Sequence, residues 1–218
     1  MRDPKKHKRV RVHIRYELKN GAYVPGVTTI CNQLNKAALV PWSNKLGLQG
    51  IEVGKYVDEL ADIGSVAHDF IEAHLKGEVF DDTPYTKEQI NAAEVCIDKF
   101  LKWYNQNNVK PILVETPLVS EFHKYGGTFD LYAEVNGTKT LIDWKTGSGF
   151  YREHKIQLAA NKNLLEEHGH KVDLCMLVGI GRDDNEDFHT LCPGALDKRF
   201  DEFLALLKVY YIEKSIGE

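Results

Sequence analysis

Two aspartates and a lysine flank Asn136-Gly137 in the stretch GGTFDLYAEVNGTKTLIDWK, residues 126–145. Asn-Gly between alternating apolar residues is a strong signal for a two-residue hairpin loop. With that loop, Val135 pairs with Thr138, and Asp130 falls opposite Asp143. The register makes this a non-hydrogen-bonded pair, with Cα atoms roughly 4.5 Å apart. Carboxylates so placed repel each other, and a divalent cation between them is the natural relief. Lys145 lies two residues past Asp143, so it shares the carboxylate face. There it would orient a water or steady charge on a phosphate. On the other face Phe129 meets Trp144, Leu131 meets Ile142 and Ala133 meets Thr140. A slip of one residue would bury the acids, so the pattern itself fixes the register.

Other elements must hold this ribbon. Residues 9–18 alternate, with Val10, Val12, Ile14, Tyr16 and Leu18 on one face and Arg9, Arg11, His13, Arg15 and Glu17 on the other. This reads as a strand with a basic outer face. A helix is expected from Val27 to about Leu39, broken by Pro41, and another over about 51–76, with Gly77 as its C-cap. Thr86 caps a helix to about Asn107, with Ile90, Ala93, Ile97, Phe100, Leu101 and Tyr104 at helical spacing. A strand follows Pro111, then the hairpin, a helix from about Arg152 to His168, strands at 171–179 and 186–191, and a helix over 196–213. The order predicts an α/β core preceded by a helical segment.

At 218 residues the chain is expected to be one domain. About 1–108 form a strand and helical part carrying His68, and about 109–218 form the α/β core. The net charge of −4 gives no overall basic field, so a polyanionic partner must be met by local patches. The four cysteines, Cys31, Cys96, Cys175 and Cys192, are too scattered for a zinc knuckle and suit a reducing compartment. No run is long and apolar enough to span a membrane, and the charged N-terminus leads into no apolar signal segment.

Further polar residues stand in order along the chain. Gly64, His68 and Glu72 lie one helical turn apart in GSVAHDFIEAHLKGE, Glu115 lies mid-strand in LVETP, and Gln157 opens IQLAAN. With Gly127, Asp130, Asp143 and Lys145, this ordered set resembles the PD-(D/E)xK nuclease superfamily, in its RecB-like exonuclease branch of phage and bacterial type. The opening VPGVTTICNQL is also similar to phage members, and the resemblance spans roughly residues 23–180.

The resemblance implies a restriction-endonuclease-like α/β core, a short mixed sheet flanked by helices, with an N-terminal helical segment. It implies a Mg²⁺- or Mn²⁺-dependent DNA exonuclease acting in phage or bacterial recombination, repair or degradation. A structure-specific or restriction-type endonuclease and an inactive DNA-binding module share the same fold. His68, Asp130, Asp143 and the Trp144 main-chain carbonyl would hold the metal, with Glu115 and Glu72 as secondary candidates. Asp130, Asp143, Lys145 and Gln157 would carry catalysis. Arg9, Arg11, Arg15, Arg152 and Lys155, with Lys5, Lys6 and Lys8, would meet the DNA backbone. The implied partners are single-stranded DNA or duplex ends and a recombination or replication protein, in the cytoplasm of a bacterial or phage-infected cell. Position 161 is Asn where the family often has Tyr, and the cysteine spacing fits no iron–sulfur cluster.

Overall fold

The computed structural model describes residues 14–147 and 149–216. Of the alternating N-terminal stretch, Tyr16–Glu17 form β1, paired antiparallel with β2, Tyr23–Val24. Arg9, Arg11 and the three early lysines lie outside the described residues.

The helix expected from Val27 to Leu39 is instead two. Helix α1 spans Val27–Cys31 and α2 spans Leu39–Leu48. Pro41 is the third residue of α2, not a break. First-turn N–H groups have no intrahelical partner, so proline loses no bond there. Helix α3, Val53–Lys76, ends on Gly77 at φ +69°. Helix α4, Lys87–Gln106, opens on a capping box, with the Gln89 N–H donating to Thr86 Oγ1 and the Thr86 N–H donating to Gln89 Oε1.

Five strands follow: β3, Val109–Ser120; β4, Tyr125–Val135; β5, Thr138–Thr146; β6, Leu174–Ile180; and β7, His189–Leu191. They lie in sheet order β3-β4-β5-β6-β7, and only β5 and β6 are parallel. Their parallel pairing requires a crossover, supplied by α5, Arg152–Glu167. Pro111 lies within β3, beside a register shift on this edge strand, where a missing ladder donor is tolerated. Helix α6, Leu196–Ser215, closes the chain.

Both faces of the sheet are covered. Ala67 and Ile71 of α3 and Cys96 and Phe100 of α4 pack on Leu131, Ile142 and Trp144. Leu158 and Leu165 of α5 pack on Tyr132, Leu141 and Leu177 from the other side. Ile30, Ile156, Leu164 and Phe203 join α1, α5 and α6 in a third layer. This mixed sheet flanked by helices is the restriction-endonuclease-like core expected from the sequence. Gly127 sets how closely the layers approach. A Cβ there would stand 2.6 Å from Asn161 Oδ1 and 2.9 Å from both Leu164 and Val27. No helix among the described residues is long and apolar enough to cross a membrane.

The hairpin turns at Asn136 (φ +50°) and Gly137 (φ +84°), and its register is the expected one from Val135–Thr138 out to Leu131–Ile142. Beyond that point the expected pairing of Phe129 with Trp144 does not form. The Trp144 N–H donates to Asp130 Oδ2 at 2.6 Å. Phe129 packs with Tyr132 and Leu141, not with Leu131 and Trp144. A side-chain acceptor has replaced the backbone partner, and the face alternation breaks at Asp130.

Candidate active site

Asp130 sits where the sheet opens on both sides. Its register partner on β5 would be Asp143, just past the last ladder pair. Its register partner on β3 would be Glu115, passed over between Val114–Leu131 and Thr116–Phe129. Glu115 has φ +44°, a left-handed conformation uncommon for a side-chain-bearing residue within a strand. Three acids from three adjacent strands therefore meet at one gap in the sheet.

Helix α3 brings His68 to this gap. Gly64, one turn earlier, passes β5 so closely that a Cβ would lie 2.9 Å from Thr146 Oγ1. His68 Nδ1 stands 4.0 Å from Asp130 Oδ1. Among the described residues, His68, Glu115 and Asp130 offer one ligand atom each, all within 4.8 Å of one another. One imidazole with carboxylate oxygens suits a hard divalent ion such as Mg²⁺ or Mn²⁺. Glu115, a secondary choice on sequence, thus joins the compact set.

Asp143 is engaged differently. It is 5% exposed, and its Oδ2 lies 2.5 Å from Lys145 Nζ. Burial pushes the Asp143 carboxyl above its ordinary pKa, Lys145 opposes this and Asp130 adds to it. Burial works against the Lys145 ammonium, yet Asp143 and Asp130 together hold its pKa above the usual value.

A cleft of about 760 Å³ opens on these groups. Asp69, Glu72, Glu115, Asp130 and Asp143 are its acids and Lys145 is its lysine. Gln157 and Asn161, one turn apart on α5, also line it. Asn161 is 3% exposed, and its Oδ1 has no hydrogen-bond partner among the described residues. Glu72 is paired with Lys76 at 2.7 Å. Asp69 accepts a hydrogen bond from the Tyr85 hydroxyl. Neither Arg15, which lies over the Tyr23 ring, nor Lys155 lines this cleft; Arg152 lines a neighbouring one.

His154 reads in the sequence as an ordinary polar helix residue. It accepts the Tyr151 N–H through Nδ1 at 3.3 Å in the first turn of α5. Burial first, and then the charge of Lys145, lower its pKa from 6.5 to about 4. Between these values the unfolded chain binds a proton here that the folded chain refuses. This contribution to stability is complete above about pH 6.5 and is lost as pH falls towards 4. After allowance for partial exposure it is worth roughly 1–2 kcal/mol. His154→Gln, which keeps an acceptor for the Tyr151 N–H, is expected to flatten that acid limb. Urea denaturation of both proteins at pH 5 and 7.5 measures it; equal losses on acidification would refute the assignment.

No family model matches the sequence, and no curated protein matches it. Solved structures do. A protein from Eubacterium rectale assigned as an exonuclease superposes with a TM-score of 0.51 at 13% identity, over 71% of this chain and 65% of that one. This chain therefore spans about two thirds of that protein's length. A phage-related exonuclease from Haemophilus somnus matches at TM-score 0.36 and 16% identity, over 70% of this chain and 83% of that one. An alkaline exonuclease from Laribacter hongkongensis matches at 0.33 and 14%, over 72% and 90%. The first of these shows that the chain has the fold of the Eubacterium rectale structure.

Proposed function

We propose that this chain is a metal-dependent DNA exonuclease. The observation that carries the reading is the convergence of His68, Glu115 and Asp130 beside the Asp143–Lys145 pair, at the gap in the sheet. His68, Glu115 and Asp130 would hold Mg²⁺ or Mn²⁺, with Asp143 and the Trp144 carbonyl next to them. Bound there, the ion supplies an acidified water and polarises the phosphate. The chain's own part is positional and electrostatic. Asp130, tied to the Trp144 N–H, keeps one oxygen turned towards His68. Lys145 presents a fixed ammonium where negative charge gathers as water attacks phosphorus. The P–O3′ bond breaks, leaving a 5′-phosphate and a protonated 3′-oxygen. Gln157 positions the substrate or Lys145. The setting we infer is phage or bacterial DNA recombination, repair or degradation.

Hydrolysis of linear DNA is expected in Mg²⁺ or Mn²⁺ and none in excess chelator. Covalently closed single-stranded circles should survive. Cutting of circles would make the protein an endonuclease of the same fold. Full cleavage in chelator would remove the metal mechanism.

A further inference from the structure

The acidic cleft has a neighbour of opposite character. A second cleft, of about 980 Å³, adjoins it, and His68 and Lys145 line both. Its charged lining is Lys36, Lys145, Arg152 and Arg182 against Glu153 alone. Three large aromatic residues line it as well: Trp144, which is buried in the core, Trp42 from α2 and Tyr151 from the N-cap of α5. Tyr151 is 58% exposed and Trp42 is half-buried.

This asymmetry bears on where a polyanion can lie. Five carboxylates bar a run of phosphates from the first cleft, apart from any group that a cation neutralises. The second cleft has a single acid in its lining, Glu153. Each of its cations has a carboxylate partner: Lys36 with Glu153 at 3.4 Å, Arg152 with Glu202, Arg182 with Glu186 at 2.6 Å and Lys145 with Asp143 at 2.5 Å. The pairs of the exposed cations Lys36 and Arg152 are weak, so a phosphate can displace the carboxylate there. The volume is that of a small-ligand pocket and too small for a length of duplex. Rings that stack on bases need the open faces of unpaired nucleotides.

We propose that the second cleft is a groove for single-stranded DNA, which carries the strand away from the scissile phosphate. Its phosphates meet Lys36 and Arg152, and its bases stack on Trp42 and Tyr151. The inference rests on the nuclease reading above and adds the substrate class: the strand reaches the metal centre unpaired.

The test uses the whole chain in Ca²⁺, to hold turnover, with an oligothymidylate of about twelve nucleotides. Binding is read as the fluorescence anisotropy of an oligonucleotide labelled at one end, a signal that needs no tryptophan of the protein and so serves Trp42→Ala as well as the parent. Trp42→Ala and Tyr151→Ala should each weaken binding roughly 5- to 100-fold. Lys36→Gln should reduce the salt slope by about one. A blunt hairpin duplex should bind more weakly than the oligonucleotide. Parent affinity in the exposed-ring variant Tyr151→Ala and in Trp42→Ala would overturn the groove, as would equal binding of the blunt duplex. Hydrolysis of DNA by the parent in Mn²⁺, measured alongside, separates the two ideas. If it is present while the ring variants bind normally, only the groove fails. If it is absent, the nuclease reading fails, and binding alone decides the groove.

Discussion

Lys145→Ala is expected to slow single-turnover DNA cleavage by about 10²–10³-fold while Mn²⁺ affinity changes little. The amine of a protonated lysine has no lone pair to give a metal, and the compact ligand set is His68, Glu115 and Asp130. What is lost is a fixed positive charge where the transition state builds a negative one. The structure adds a second consequence. Lys145 is the partner of a carboxylate that is only 5% exposed. Removing one member of such a pair typically destabilises by about 3–5 kcal/mol, less if the stranded acid takes up a proton. The variant should therefore melt earlier, and its kinetics belong at a temperature where circular dichroism shows it folded. Calorimetry with Mn²⁺ and cleavage on one preparation settle the matter. Cleavage at the parent rate by a folded Lys145→Ala would sink the mechanism.

Asp130→Asn should behave in the opposite way, folding normally and losing metal and activity together. The amide oxygen can still accept the Trp144 N–H that Asp130 accepts at 2.6 Å, so the split in the sheet keeps its fastening. The charge beside His68 and Glu115 is gone. Loss of a supporting partner alone costs 10–100-fold in metal affinity, and a direct ligand should cost no less than about 100-fold. Undiminished Mn²⁺ affinity in this variant would move the ion elsewhere.

The hairpin was legible because two independent signals agree. Asn136-Gly137 supplies the turn, and the alternation of Leu131, Ala133 and Ile142 with polar residues supplies the register. Helix α4 was equally legible, through Thr86 and Gln89. The departure at Phe129 was not, because it depends on a side chain outcompeting a backbone carbonyl for one N–H. The grouping of Glu115 with Asp130 was reached only through the family resemblance, as a secondary candidate, and not from the local pattern. It depends on the β3–β4 register, and the connecting Glu121-Phe122-His123-Lys124 carries no strong turn signal, Lys124 itself adopting φ +61°. Local pattern speaks to neighbours in sequence, whereas His68 reaches the centre from α3 through packing between layers, and Glu115 through pairing with a strand distant in sequence. Pro41 misled because a proline is read as a stop unless the helix start is known.

The gap at Asp130 also bears on the protein's thermodynamics. Folding gathers carboxylates into one opening and holds Glu115 at a strained backbone angle, a feature that costs on the order of 1–3 kcal/mol. The unfolded chain bears neither burden. A cation that enters only the folded centre relieves the repulsion and is coupled to folding itself, adding about 2.7 kcal/mol at a hundredfold excess over its dissociation constant. Resistance to unfolding then becomes a gauge of free divalent metal, readable without any DNA present.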